Sequence, residues 1–226
     1  PLPQYYADVA VVAFRLPDGE KTLADLQPKV TSSGGKFSLE ALTDSDVVSK
    51  TILPYTKPGT SSWIQYEFAE PQAFQSLTVA AGGSESIFSS SMGGRSNTTL
   101  EASDDGRIFR IVTSIPSPSG GVEQVTLTFS PVKAKYFRLA VMTPQPMPDI
   151  SRLADSLGFG GLNQPKVTGT PVAEFVLSQA AKVNRFEDKA AFTTTGGLAG
   201  FATPAVTDVI KKADVLDLTS KMNPDG

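Results

Sequence analysis

The chain has 226 residues, a formal net charge of −3, and neither cysteine nor histidine. Those two absences exclude disulfides, thiol nucleophiles, Cys/His zinc sites and any Ser-His-Asp triad, so catalysis would fall to carboxylates, Tyr, Lys or a hard metal. Charged residues make up 19% of the chain; they form no basic cluster of the kind that tracks nucleic acid, and no apolar run approaches the roughly 20 residues that span a bilayer.

Hydrophobic residues at 40% suffice for a sizeable core, and 19 Gly and 17 Pro spread without a period suit many short strands joined by turns. Ala7 to Phe14 is nearly continuous apolar sequence between Pro3 and Pro17-Asp18-Gly19, which predicts a buried strand. Glu20 to Gly35 reads as loop with one helical turn near Leu23 to Leu26. Phe37 to Leu42 alternates and reads as a strand, Thr43-Asp44-Ser45-Asp46 turns the chain, and Pro54 to Ser62 is loop. Trp63 to Phe68 puts Ile64, Tyr66 and Phe68 on one face, with Gln65 and Glu67 on the other. Phe74 to Ala81 reads as the next strand. Gly82 to Ser96 is a long Gly/Ser loop whose large side chains are Phe88, Met92 and Arg95.

Thr98 to Met142 carries the clearest pattern. Leu100 and Ala102 face inward, Asp104-Asp105-Gly106 makes a hairpin turn, and Phe109 and Ile111 return to the core face. Val122 to Phe129 and Tyr136 to Met142 follow as two further strands, giving antiparallel spacing. Beyond them, Asp149 caps a helix over Ile150 to Leu157, Val172 to Leu177 is one more strand, Ser178 to Phe192 has helical spacing, and Val215 to Leu218 is a short strand.

Three segments together resemble the galactose-binding-like or discoidin-like β-sandwiches of many carbohydrate-binding modules. They are Trp63-Ile64-Gln65-Tyr66-Glu67-Phe68, then Leu100-Glu101-Ala102-Ser103-Asp104-Asp105-Gly106 with Phe109, then Lys135-Tyr136-Phe137-Arg138-Leu139. The flanks resemble glycoside hydrolase family 106, the α-L-rhamnosidase-like proteins. There, Tyr5 to Phe14 is similar to the segment that enters an inserted sandwich, and Phe186-Glu187-Asp188-Lys189-Ala190 and Val215 to Gly226 to the segments that follow it. The fold implied is all-β: an antiparallel jelly-roll β-sandwich of the galactose-binding-like kind over 1–177, with a short helical and irregular extension over 178–226.

The resemblance implies an accessory region of a large bacterial glycosidase acting on rhamnose-containing glycans, secreted or periplasmic, whose catalytic carboxylates and calcium site lie mainly in a barrel outside this chain. None of those residues matches a position here, so no catalytic residue is assigned. The alternative is an autonomous carbohydrate-binding module; a stand-alone enzyme is disfavoured. The implied partners are a glycan or polysaccharide and the parent's catalytic barrel, with no nucleic acid and no membrane. If the sandwich is an insert, Tyr6 and Leu177 lie close together, and residues after Ser178 pack poorly for want of the barrel.

Among the carboxylates, Asp104 and Asp105 are turn formers, Glu67 and Glu70 surface charges, and Glu187-Asp188 a solvated face. Asp44 and Asp46 are candidates for a structural calcium ion, against a plain solvated loop; no other cofactor is expected. Sugar capture needs aromatic faces and planar polar groups on one surface, for which Tyr55, Trp63, Phe88 and Arg95 are the candidates.

Overall fold

The computed structural model describes residues 11–14, 19–82, 98–116, 124–143, 168–190, 202–205 and 210–221. The chain divides into two compact units, one of Lys21–Pro204 and one of Pro1–Glu20 with Ala205–Gly226. In the smaller unit, β1 (Val12–Phe14) pairs antiparallel with β9 (Val215–Asp217), Val12 opposite Asp217 and Phe14 opposite Val215.

Among the described residues the larger unit is mainly β and antiparallel. Its strands are β2 (Lys29–Ser32), β3 (Thr51–Pro54), β4 (Ser61–Ala81), β5 (Thr98–Ser103), β6 (Arg110–Ile115), β7 (Val125–Met142) and β8 (Gly169–Ser178). They run in the order β3-β8-β4-β7-β5-β6, with β2 also on β4. The sequence suggests two strands each where β4 and β7 are single ribbons of 21 and 18 residues. These two pair along nearly their whole length, with register shifts between Glu67 and Gln72 and between Phe74 and Ser76. Before the shifts β4 is flanked by β2 and β7; after them, by β7 and β8. Irregular pairing lets a strand bend out of one layer into the next. The front layer is therefore β2, the first half of β4, the second half of β7, β5 and β6. The back layer is β3, β8, the second half of β4 and the first half of β7.

The core lies between the layers. Ile64, Tyr66 and Phe68 from β4, Leu100 and Ala102 from β5, and Phe137 and Leu139 from β7 are all buried, as their alternation predicts. Tyr66 spans the sandwich: its ring stacks on Phe175 of β8 at 4.6 Å, and its hydroxyl donates to the Phe175 carbonyl at 2.6 Å. Phe68 meets the Tyr66 ring edge-on at 6.4 Å, and Phe74 and Phe137 pack against Phe68 and edge-to-face on each other at 5.1 Å.

The helical turn at Leu23–Leu26 (α1) forms as expected, closed by a reciprocal capping box between Thr22 and Asp25. Three readings are corrected. Phe37 to Leu42 is no strand: Glu40–Leu42 is a single 3-10 turn, and Leu42 drops into the core while Phe37 and Leu39 pack against it. The same residues carry a three-residue spacing as well as a two-residue one, so periodicity alone did not discriminate. Ile111 does not reach the core. An extra residue on β6, Val112, skipped between the Leu100–Thr113 and Glu101–Ile111 pairs, sets it opposite outward-facing Glu101, and it is 65% exposed. Phe109 likewise turns outward, its ring lying 3.7 Å from the Arg138 guanidinium carbon.

The third correction concerns the segment after Ser178. Of the described residues 179–190, only Phe186–Lys189 (α2) are helical, and this stretch belongs to the larger unit, where it lies along the back layer. The first half of β7 has β4 on one side only among the described residues, which leaves a row of backbone groups unpaired on the other. Two side chains and one backbone N–H of the returning segment fill that row. Asn184 Oδ1 accepts from the Thr128 N–H at 3.1 Å, Glu187 Oε2 accepts from the Thr126 N–H at 2.9 Å, and the Arg185 N–H donates to the Thr126 carbonyl at 2.8 Å. Arg185 adopts the left-handed backbone conformation to do so, with φ 54°, and its side chain pairs with Asp188. Glu187 and Asp188 are thus each only 4% exposed, not a solvated face.

Tyr6 and the expected helix over Ile150 to Leu157 lie outside the described residues. Among the described residues no helix is long and apolar enough to cross a membrane.

Candidate functional site

Of the residues proposed for sugar capture, Trp63 and Tyr55 are among those described. Trp63 stands half-buried on the outer face of the front layer, its N–H donating to Ser33 Oγ at 2.9 Å. Tyr55 follows β3 in the back layer, its N–H held by the Thr168 carbonyl at 2.9 Å. Phe88 and Arg95 lie outside the described residues. Asp44 and Asp46 are exposed and occupied locally. Asp44 Oδ1 accepts from the Asp46 N–H at 2.8 Å, and Asp46 Oδ1 from the N–H groups of Val48 and Ser49 at 2.9 and 3.1 Å. Bonding to Ser49 and Val48 holds the Asp46 carboxyl below the usual carboxylate range. Among the described residues, no three or more acidic side chains converge as a metal would require.

The outer face of the front layer is rich in polar groups that engage one another. Arg138 Nε donates to Glu101 Oε2 at 2.6 Å while stacking on Phe109, and the Tyr136 hydroxyl donates to Glu67 Oε1 at 3.2 Å. At the hairpin, Asp105 Oδ1 accepts from the N–H groups of Arg107 and Ile108 at 2.8 and 2.9 Å, and Gly106 turns at φ 71°. Those backbone bonds and Ser103 hold the Asp105 carboxyl down at about 2. Asp104 faces Arg110 at 3.3 Å across open solvent. Asp104 and Asp105 therefore sit in the hairpin turn, as expected.

A different site emerges over the back layer. A cleft of about 580 Å³ is bounded by Thr43 and Ser45, by the strand residues Thr78, Gln124, Thr126, Glu174 and Val176, and by the returning segment Ala181, Lys182, Val183 and Phe186. Its floor is a chain of hydroxyls. Thr78 and Thr126 sit opposite one another on β4 and β7, with Oγ1 atoms 3.2 Å apart. Lys182 Nζ donates to Thr78 Oγ1 at 3.3 Å, and the Thr126 hydroxyl donates to Glu187 Oε1 at 2.7 Å. Gln124 Nε2 reaches the same Glu187 oxygen at 3.1 Å.

Glu174 is the unusual member. It lies on β8 opposite Ala80, is only 3% exposed, and its Oε1 has no hydrogen-bond partner among the described residues. Burial pushes its carboxyl above the usual glutamate range; the Ser45 N–H offsets part of this, and the neighbouring charges of Asp44 and Asp46 add to it. Ser45 itself holds a left-handed backbone, φ 66°. Sequence reasoning passed over Glu174, Lys182 and Thr78. The available signal was a lone acid inside the apolar run Val172-Ala173-Glu174-Phe175-Val176-Leu177, where an acid on a covered strand has no cheap solvent exit.

Comparison with known proteins gives the following. The family described as alpha-L-rhamnosidase, glycoside hydrolase family 106, matches residues 1–226. A rhamnosidase from Novosphingobium sp. PP1Y is similar in structure, with a TM-score of 0.61 and 24% identity over 96% of this chain. The chain spans 17% of the length of that protein. The carbohydrate-binding module CpGH89CBM32-6 produced by Clostridium perfringens matches with a TM-score of 0.47 and 9% identity, over 71% of this chain and 100% of the module. A pectin-binding carbohydrate-binding module matches with a TM-score of 0.40 and 19% identity, over 68% of this chain and 91% of its own. No curated protein matches.

Proposed function

We propose, because this chain belongs to the alpha-L-rhamnosidase family of glycoside hydrolases, that it forms an accessory β-sandwich region of a bacterial glycosidase acting on rhamnose-containing glycans. Its task is to brace the parent's catalytic region, which carries the hydrolytic carboxylates, and the parent works outside the cytoplasm, secreted or periplasmic.

One observation supports the bracing role above others. The β1–β9 pair joins the two ends of the chain into a sheet of two three-residue strands, with Val12, Phe14 and Leu216 50%, 48% and 61% exposed. An isolated two-stranded pair is marginal in water and needs a surface to cover its apolar side. The parent's catalytic region is the partner that fits.

The test is made in the full-length parent. Val12→Asp combined with Leu216→Asp is expected to lower the melting temperature of the catalytic region and to reduce rhamnoside hydrolysis. Unchanged melting and turnover in that double variant would overturn the bracing role.

A further inference from the structure

The cleft over the back layer has a composition that narrows what it can hold. Its volume, about 580 Å³, lies within the roughly 300–1,000 Å³ of small-ligand sites. An anion is disfavoured, because Glu174 in the lining, with the charges of Asp44 and Asp46 beside it, stands against the single ammonium of Lys182 among the lining residues. A wholly apolar ligand is disfavoured too, because it would leave the Glu174 oxygen buried without a donor. A polyhydroxylated neutral ligand meets both conditions, since each of its hydroxyls donates and accepts. The opposite wall is apolar and open to water: Val183 and Phe186 are 53% and 47% exposed. Such a wall takes the C–H face of a ring or a methyl substituent.

We infer that this cleft binds a neutral 6-deoxy sugar unit. Glu174 and Lys182 engage ring hydroxyls over the Thr78–Thr126 floor, and Val176, Val183 and Phe186 receive the methyl group. The saccharide site stands on the cleft alone; the 6-deoxy assignment rests on the rhamnosidase reading. On a small rotation of the Glu174 carboxyl, a ring hydroxyl supplies the donor that its Oε1 lacks. Glu187 contributes indirectly, because its carboxylate is already committed to Thr126 and so fixes which way that hydroxyl points.

The experiment is amide NMR of the 226-residue chain, titrated with methyl α-L-rhamnopyranoside, its 6-hydroxylated counterpart methyl α-L-mannopyranoside, and methyl β-D-galactopyranoside. The expected result is movement of the Thr78, Thr126, Val176 and Lys182 amides by the rhamnoside at millimolar concentration, with the mannoside weaker by about tenfold. Lys182→Met and Glu174→Gln are each expected to weaken rhamnoside binding by about tenfold or more. Lys182 is exposed at the rim, so its variant tests binding even if the Glu174 variant unfolds. Equal responses to all three sugars would overturn the 6-deoxy assignment. No movement at the cleft with any sugar, or movement confined to Tyr55 and Trp63, would overturn the site while leaving the bracing role to its own test.

Discussion

Glu187 holds Thr126 by two atoms at once: one carboxylate oxygen accepts the backbone N–H at 2.9 Å and the other accepts the hydroxyl at 2.7 Å. The pair lies 61 residues apart in the chain, and it does for the edge of β7 what a neighbouring strand would otherwise do. Replacing Glu187 with Ala leaves both donors facing a buried gap. The expected loss is about 2–3 kcal/mol in folding stability, read from the urea midpoint. Glu187→Gln, which keeps one acceptor, is expected to lose less. A loss below about 0.5 kcal/mol for the Ala variant would mean that water closes this edge unaided.

The Tyr66 hydroxyl is wholly buried against the Phe175 carbonyl. Tyr66→Phe is expected to cost about 1–2 kcal/mol, because the ring stack survives while the carbonyl loses its donor. Burial, and then the Glu174 charge, push the phenol pKa well above its ordinary value of 10.0. The fold thus favours the neutral phenol: its contribution is fully present below the unfolded value and drains away as pH rises past it. Wild type should lose stability in alkali more steeply than Tyr66→Phe. Parallel alkaline unfolding curves would contradict this.

Glu174 obeys the same sign at lower pH. Its folded pKa is raised above the ordinary 4.5, so its contribution is complete below that value and is lost as pH climbs through the folded one. Comparing Glu174→Gln with wild type by chemical denaturation, the balance should move toward the variant between acid and neutral pH. A difference that does not vary with pH would show that the carboxyl titrates normally.

Asp105 runs the other way. Backbone N–H groups hold it at about 2, so its contribution is present above the ordinary carboxylate range and lost as pH falls toward 2. Asp105→Ala should lower the melting temperature at neutral pH and show less acid sensitivity than wild type. Gly106→Ala should destabilise by a separate route. At φ 71° an added Cβ would come within 3.1 Å of the Tyr136 ring, and left-handed Ala with that contact costs about 1–2 kcal/mol.

What could be read from the sequence, and what could not, divides by range. Ile64, Tyr66 and Phe68 announce their buried face because each lies two residues from the next, and Ser103 to Gly106 announces its turn because the bonds that make it span three residues or fewer. Ile111 misled because one extra residue in its own strand, Val112, changed its facing, and simple alternation does not mark a bulge. Thr126 and Thr128 look outward by alternation, yet both are buried, because what covers them is supplied by Lys182, Asn184 and Glu187. The candidate site suffered the same way. Trp63 and Tyr55 were conspicuous by residue type, whereas Glu174, Lys182 and Thr78 acquire meaning only once three distant segments meet.

Tyr66 and Phe175 lie 109 residues apart, and Gln75 and Ser76 bond to the carbonyls of Gln179 and Ala180 at a separation of 104. During synthesis, then, β4 and β7 can pair early, but the back layer stays open until residues 170–190 have cleared the ribosome. The growing chain must carry an uncovered aromatic cluster while the 109 residues from Tyr66 to Phe175 are made, a window in which chaperone engagement matters most. Stalled chains ending before Phe175 should be cleaved readily by protease, and chains extended past Lys189 should resist.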